Sequence, residues 1–172
     1  MQTYIILFRA VNVGGKNLLP MKALVPLLEQ NNYQNVSSYI QSGNVVLKSI
    51  VDPTEDIKTI VCKHFDFTPD VFVIDESSFL THVFNNPYKA FEGKFVHFYC
   101  CKNDINVVDE KLNKYVSSSE HFTVKDNVFY LYAPDGIGRS KLVANIESCL
   151  GQSATGRNLN TINKLSAMLK SI

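Results

Sequence analysis

The order of secondary-structure elements, read from hydrophobic period, constrains this chain more than any single motif. Residues 3–9 (TYIILFR) form a near-continuous apolar run and predict a largely buried strand. Ten loop residues follow, and Pro20 then opens a helix whose Met21, Leu24, Val25, Leu27 and Leu28 share one face, with Pro26 interrupting its early turns. Residues 36–40 predict a short strand, and Ser42-Gly43-Asn44 a tight turn into a second strand over 45–48. Asp52-Pro53 starts a helix carrying Ile57, Ile60, Val61 and Phe65, and residues 71–74 close the set as a strand. That order, βαββαβ, is the ferredoxin-like pattern.

Turn signals at Asn85-Asn86-Pro87-Tyr88 and Glu92-Gly93 then set a linker over residues 76–94, with a short helix over 77–84. The order repeats beyond it. Residues 95–101 predict a strand, 105–116 a helix, and 121–125 with 127–133 a hairpin across Asp126-Asn127. A helix over 139–150, a short strand over 152–155 and a final helix over 159–169 complete the chain. The fold expected is therefore α+β, with two tandem ferredoxin-like βαββαβ halves, antiparallel sheets and a C-terminal helix. The first half is residues 1–75 and the second, with that helix, 95–172. The halves share little residue identity, so the duplication rests on element order alone.

Charge usage locates a candidate site. Fourteen lysines accompany only three arginines, and those arginines fall in or beside glycine-bearing stretches. Arg9 leads into Asn12, Gly14, Gly15, Lys16 and Asn17. Arg139 follows Gly136 and Gly138 and precedes Ser140 and Lys141, and Arg157 sits between Gly156 and Asn158. A planar guanidinium suits bidentate recognition of carboxylate or phosphate, whereas lysine also serves general solubility. Asp135 to Lys141 in particular reads as strand, glycine turn and helix start with a cation, an arrangement that presents N–H groups to an anion. Ser42, Gly43 and Asn44 form a fourth polar glycine turn.

In a sheet of order 4-1-3-2, the loop after the first strand and the second-to-third hairpin share one edge. In the second half, the loops after strands three and four share the opposite edge. The four stretches thus reduce to two edges, which would line one cleft if they adjoin.

LFRAVNVGGKNLLPM, YIQSGNVV, GIGRSKL and ATGRNLNTINKL resemble, in order, the motifs of an uncharacterised bacterial family, domain of unknown function 1697. The resemblance runs from Tyr4 to the last helix. It departs at Ala10-Val11, where the family usually reads Gly-Ile, and at Gly156, where a second threonine is usual. What it implies is a compact cytosolic α+β protein, with no activity attached.

Other chemistries fit less well. Gly136-x-Gly138-x-x-Lys141 is neither a Walker A loop nor a complete dinucleotide fingerprint. His64, His82, His97 and His121 lack ligand spacing, so no metal and no cofactor is expected. No G-x-S-x-G elbow is present to make Ser140 or Ser42 a nucleophile, and Asp135 reads as a turn residue before a base. Alternation of Phe95, His97, Tyr99 and of Val128, Tyr130, Tyr132 resembles an RNA-stacking platform without its basic-glycine signature. Net charge is +1, no run approaches a membrane span, and Cys62, Cys100, Cys101 and Cys149 show no C-x-x-C spacing. A cytoplasmic protein with no membrane partner is expected.

The function expected is binding of a phosphate-bearing ligand, whether nucleotide, phosphosugar or nucleic-acid end. The arginines would neutralise charge, the glycine loops donate N–H groups, and Asn12, Asn17, Asn44 and Asn158 fix orientation. The alternatives are an enzyme acting on such a ligand and an interaction module whose motifs only stabilise loops. No catalytic residue is assigned.

Overall fold

A computed structural model describes residues 1–172. The chain divides into two compact units, Met1–Thr81 with Asn163–Ile172 (unit 1) and His82–Ile162 (unit 2). Residues 163–172, read from sequence as part of the second half, therefore group with unit 1.

In unit 1, β1 (Gln2–Arg9), α1 (Met21–Gln30), β2 (Gln34–Tyr39), β3 (Asn44–Ser49), α2 (Thr54–Phe65) and β4 (Asp70–Asp75) follow the expected order. The strands form one antiparallel sheet ordered β2-β3-β1-β4. Tyr4, Ile6 and Phe8 pack with Val45 and Leu47 against Leu24 and Leu28 of α1 and Ile57 and Val61 of α2. Ile5 and Leu7, on the other face of β1, are as fully buried. Burial of both faces is why this strand reads as a continuous apolar run rather than an alternating one. Pro26 lies inside α1 without ending it.

α3 (Glu76–Phe84) and a single 3-10 turn (Gly93–Phe95) precede the strands of unit 2. There β5 (Val96–Cys101), β6 (His121–Lys125), β7 (Val128–Tyr132) and β8 (Ala154–Asn158) pair antiparallel in the order β6-β7-β5-β8. The sheet therefore repeats the topology of the first. Tyr99, Cys101, Phe129 and Leu131 form the core face with Leu112 of α4 (Asp109–Tyr115), Leu142 of α5 (Lys141–Ala144) and Ile146, Cys149 and Leu150 of α6 (Ile146–Leu150). α7 (Leu159–Leu169) closes the chain.

Four expectations need correction. The helix expected over 105–116 starts only at Asp109, because the Ile105 and Val108 N–H groups bond the Asp126 and Cys149 carbonyls instead of a helical turn. The helix expected over 139–150 is two short pieces, broken at Asn145 (φ −119°, ψ 19°). The strand expected over 152–155 runs instead over Ala154–Asn158, so Thr155-Gly156-Arg157-Asn158 is itself a strand and not the loop after one.

Finally, His97 pairs with Leu131 and Tyr99 with Phe129, while Phe98 pairs with Tyr130. The two aromatic series therefore lie on opposite faces of the sheet, and Tyr99 and Tyr130 are buried. That removes a continuous stacking platform. No helix is long and apolar enough to cross a membrane.

Candidate functional site

At the edge of unit 1 where β1 ends, Leu7 pairs with Asn44, which brings the loop after β1 beside the β2–β3 turn. The loop is locally knitted. The Asn12 N–H bonds the Asn17 carbonyl, the Lys16 N–H bonds that of Val13, and Ala10, Asn12, Gly14, Gly15 and Asn17 all have positive φ. The Asn12 side chain joins the two segments. Its Nδ2 donates to the carbonyls of Leu19 (2.9 Å) and Gln41 (2.7 Å), and its Oδ1 accepts from the Leu19 N–H (2.7 Å).

Asn17 donates to the Ala10 carbonyl, and the buried Asn44 donates to the Tyr39 carbonyl and to Ser42 Oγ. Gly43 has φ +88°, and a Cβ there would lie 2.8 Å from Phe8 Cβ and 2.9 Å from Val11 Cγ2. Arg9 faces Asp70 across the sheet at 3.6 Å. Most polar groups of these two stretches thus hold their own backbone. Lys16, at the exposed tip, has no ion-pair partner.

Unit 2 carries a cavity of about 450 Å³ lined by residues 114–117, 119–120, 135–136 and 139–141. Three segments build it. The last turn of α4 supplies Lys114 and Tyr115, the serine-rich link before β6 supplies Ser117, Ser119 and Glu120, and the turn after β7 supplies Asp135, Arg139, Ser140 and Lys141. Ser140 caps α5, accepting from the Val143 N–H, and donates its own proton to Glu120 Oε2 at 2.5 Å. Glu120 Oε1 accepts the Ser117 N–H (2.8 Å), so both of its oxygens are engaged.

Ser119 donates to Asp135 Oδ2 (2.7 Å). Serine hydroxyls thus hold the two carboxylates, and neither forms an ion pair with Arg139, Lys141 or Lys114. Arg139 and Lys141 are exposed, and Lys114 Nζ lies over the Tyr115 ring. The glycine turn itself gives less than its sequence promised. The Gly136 and Ser140 N–H groups bond the Ala133 and Ile137 carbonyls, and a four-residue α5 has almost no dipole to offer.

Arg157 takes a different position from Arg139. It lies within β8, opposite Phe98, and is only 8% exposed. Its guanidinium donates to Thr155 Oγ1 and to the Gly156 carbonyl, each at 2.8 Å. Burial pushes its pKa down to about 10, partly opposed by the neighbouring Cys100. It stays charged at neutral pH. Asn158, the next residue, uses Oδ1 to accept the Thr161 N–H at the start of α7.

The first two stretches therefore meet at one edge of unit 1. The ends of β7 and β8 share one edge of unit 2, since Tyr132 pairs with Val96 and Asn158 with His97. Lys114, Tyr115, Ser117, Ser119 and Glu120 line the cavity with no glycine or arginine beside them in the sequence. Ser117-Ser118-Ser119-Glu120 after a lysine-bearing helix end is the signal that marks them. No group of three His, Cys, Asp or Glu residues lies close enough to hold a metal ion. Burial raises the thiols of Cys100, to about 12, and of Cys101, to about 11.

Comparison with known proteins bears on the family and the fold. A family model described as protein of unknown function (DUF1697) matches residues 1–130. The match covers both unit 1 motifs and the 114–120 wall of the cavity, and stops before residues 135–141. No curated protein matches. Among solved structures, a conserved bacterial protein from Streptococcus pneumoniae is similar, with a TM-score of 0.72 at 22% identity over 98% of each chain. At that identity the likeness shows the fold alone.

Proposed function

The chain belongs to the DUF1697 family of proteins of unknown function, and we propose that it binds a small phosphate-bearing ligand in the cavity of unit 2. The observation that carries this reading is that Arg139, Lys141 and Lys114 line one cavity with no carboxylate paired to any of them. Cations left unpaired around a concavity, with local carboxylates held by serines, favour an incoming anion. The volume is in the range of small-molecule sites, roughly 300–1,000 Å³. Four thiols outside any disulfide support the cytoplasmic setting in which phosphorylated metabolites occur.

The test is thermal denaturation with increasing inorganic phosphate, for the wild type and Arg139→Gln. A ligand at a hundred times its Kd stabilises by about 2.7 kcal/mol. The wild type is expected to gain stability at constant ionic strength, and the variant to lose most of that gain. No phosphate-dependent shift in either protein defeats the reading.

A second reading holds for unit 1, where three hydrogen bonds from one Asn12 side chain favour a loop-stabilising role. On that reading, Asn12→Ala lowers unfolding free energy by about 2–3 kcal/mol and leaves phosphate binding unchanged.

A further inference from the structure

Resting on the anion-binding reading of the same cavity, we infer that its ligand is a phosphorylated sugar, free or as part of a nucleotide, rather than a bare inorganic anion. Three features of the lining lead there. The space, about 450 Å³, greatly exceeds what one phosphate group fills. The lining is not purely cationic, since Glu120 and Asp135 stand among Arg139, Lys141 and Lys114. A site for a bare anion gains nothing from carboxylates, which repel it. A ligand that also carries hydroxyl donors does gain, because a carboxylate is an acceptor-only group that takes O–H donors well.

The two carboxylates differ in what they have left to give. Glu120 accepts from Ser117 through one oxygen and from Ser140 through the other. Asp135 accepts from Ser119 through Oδ2 only, which leaves Oδ1 for an incoming hydroxyl. The third feature is a less polar wall, where Tyr115 and Val116 are half-buried and the Lys114 ammonium sits over the tyrosine ring. A sugar ring has apolar C–H faces suited to such a wall. Phosphate at Arg139 and Lys141, hydroxyls at Asp135 and the ring against Tyr115 and Val116 use all three.

Calorimetric titrations with inorganic phosphate, ribose, ribose 5-phosphate and adenosine 5′-monophosphate test this, on the wild type, Asp135→Asn and Arg139→Gln. In the wild type, ribose 5-phosphate is expected to bind about tenfold more tightly than phosphate, as one hydrogen bond to a charged group allows. Asp135→Asn should remove most of that preference without weakening phosphate. Arg139→Gln should weaken both phosphorylated ligands.

Tighter binding of the monophosphate identifies the nucleotide as the source, and tighter binding of ribose 5-phosphate the free sugar. Equal affinities for phosphate and ribose 5-phosphate overturn the inference and leave the anion site standing. A preference that survives Asp135→Asn does the same. Ribose binding as tightly as its phosphate, or no binding by any ligand, overturns the anion site as well. Where Asp135→Asn fails to fold, Tyr115→Ala removes the less polar wall instead: it should shrink the preference for ribose 5-phosphate over phosphate and leave phosphate affinity unchanged, and an undiminished preference overturns the inference.

Discussion

Ala10 holds φ +56°, a region in which a Cβ meets the following carbonyl. Its place in the loop requires that conformation, because the turn it enters is closed by the Asn12 and Asn17 backbone. Replacing it with glycine removes a strain of roughly 1–2 kcal/mol and adds about 0.5–1 kcal/mol of unfolded-state entropy. Ala10→Gly is therefore expected to raise stability by up to about 1.5 kcal/mol, read from the midpoint of urea unfolding. His97 gives a pH dependence at the same scale. It is buried, its Nε2 has no hydrogen-bond partner, and burial lowers its pKa from 6.5 despite a hydrogen bond to the Lys94 backbone. A folded-state pKa below the unfolded one means the unfolded chain takes up the proton first. Stability is thus complete above pH 6.5 and falls as the solution is acidified below it. The Tm of His97→Gln should decline less than that of the wild type between pH 7.5 and 5.5, and parallel declines would refute the assignment.

Strand pairing decides which small residues are replaceable. Gly156 sits opposite Tyr99 in the β5–β8 pair, and a Cβ there would lie 2.7 Å from Tyr99 Cε1. The ring belongs to the unit 2 core and cannot withdraw without opening that packing. Gly156→Ala is expected to cost about 1–3 kcal/mol, the usual range for overpacking. A Tyr99→Leu background should recover part of the loss, as a double-mutant cycle on unfolding free energies would show. This also gives a physical reason for a glycine where the family resemblance expects threonine. Gly43 is constrained more severely, since it combines φ +88° with Phe8 and Val11 at van der Waals overlap. The β2–β3 turn is thus built around its glycine, and its sequence signal was legible because turn chemistry is local.

At the scale of the whole chain, α7 does not end where the second βαββαβ set ends. Residues 163–172 belong to unit 1, and Leu165 is fully buried. Leu165→Ala is expected to cost about 2–5 kcal/mol. The loss should appear as faster hydrogen exchange in β1 and β3 of unit 1, and unchanged exchange there would count against the grouping. By itself, the sequence determined the element order and, through it, both sheet topologies. Hydrophobic period, turn residues and proline act within a few positions of themselves, so they survive without tertiary context. It also placed three of the four glycine-bearing stretches in turns, the one around Gly156 being a strand instead, and found where the arginines lie. Only the tertiary structure decided what those arginines can do. Arg157 is buried because β8 extends through Asn158 and pairs it against Phe98, while Arg139 lies exposed beside carboxylates that are turned to serines. Ser119–Asp135 and Ser140–Glu120 join residues 16 and 20 positions apart. No local pattern encodes such pairs, because whether a charge is buried, paired or free depends on which segments the fold brings beside it.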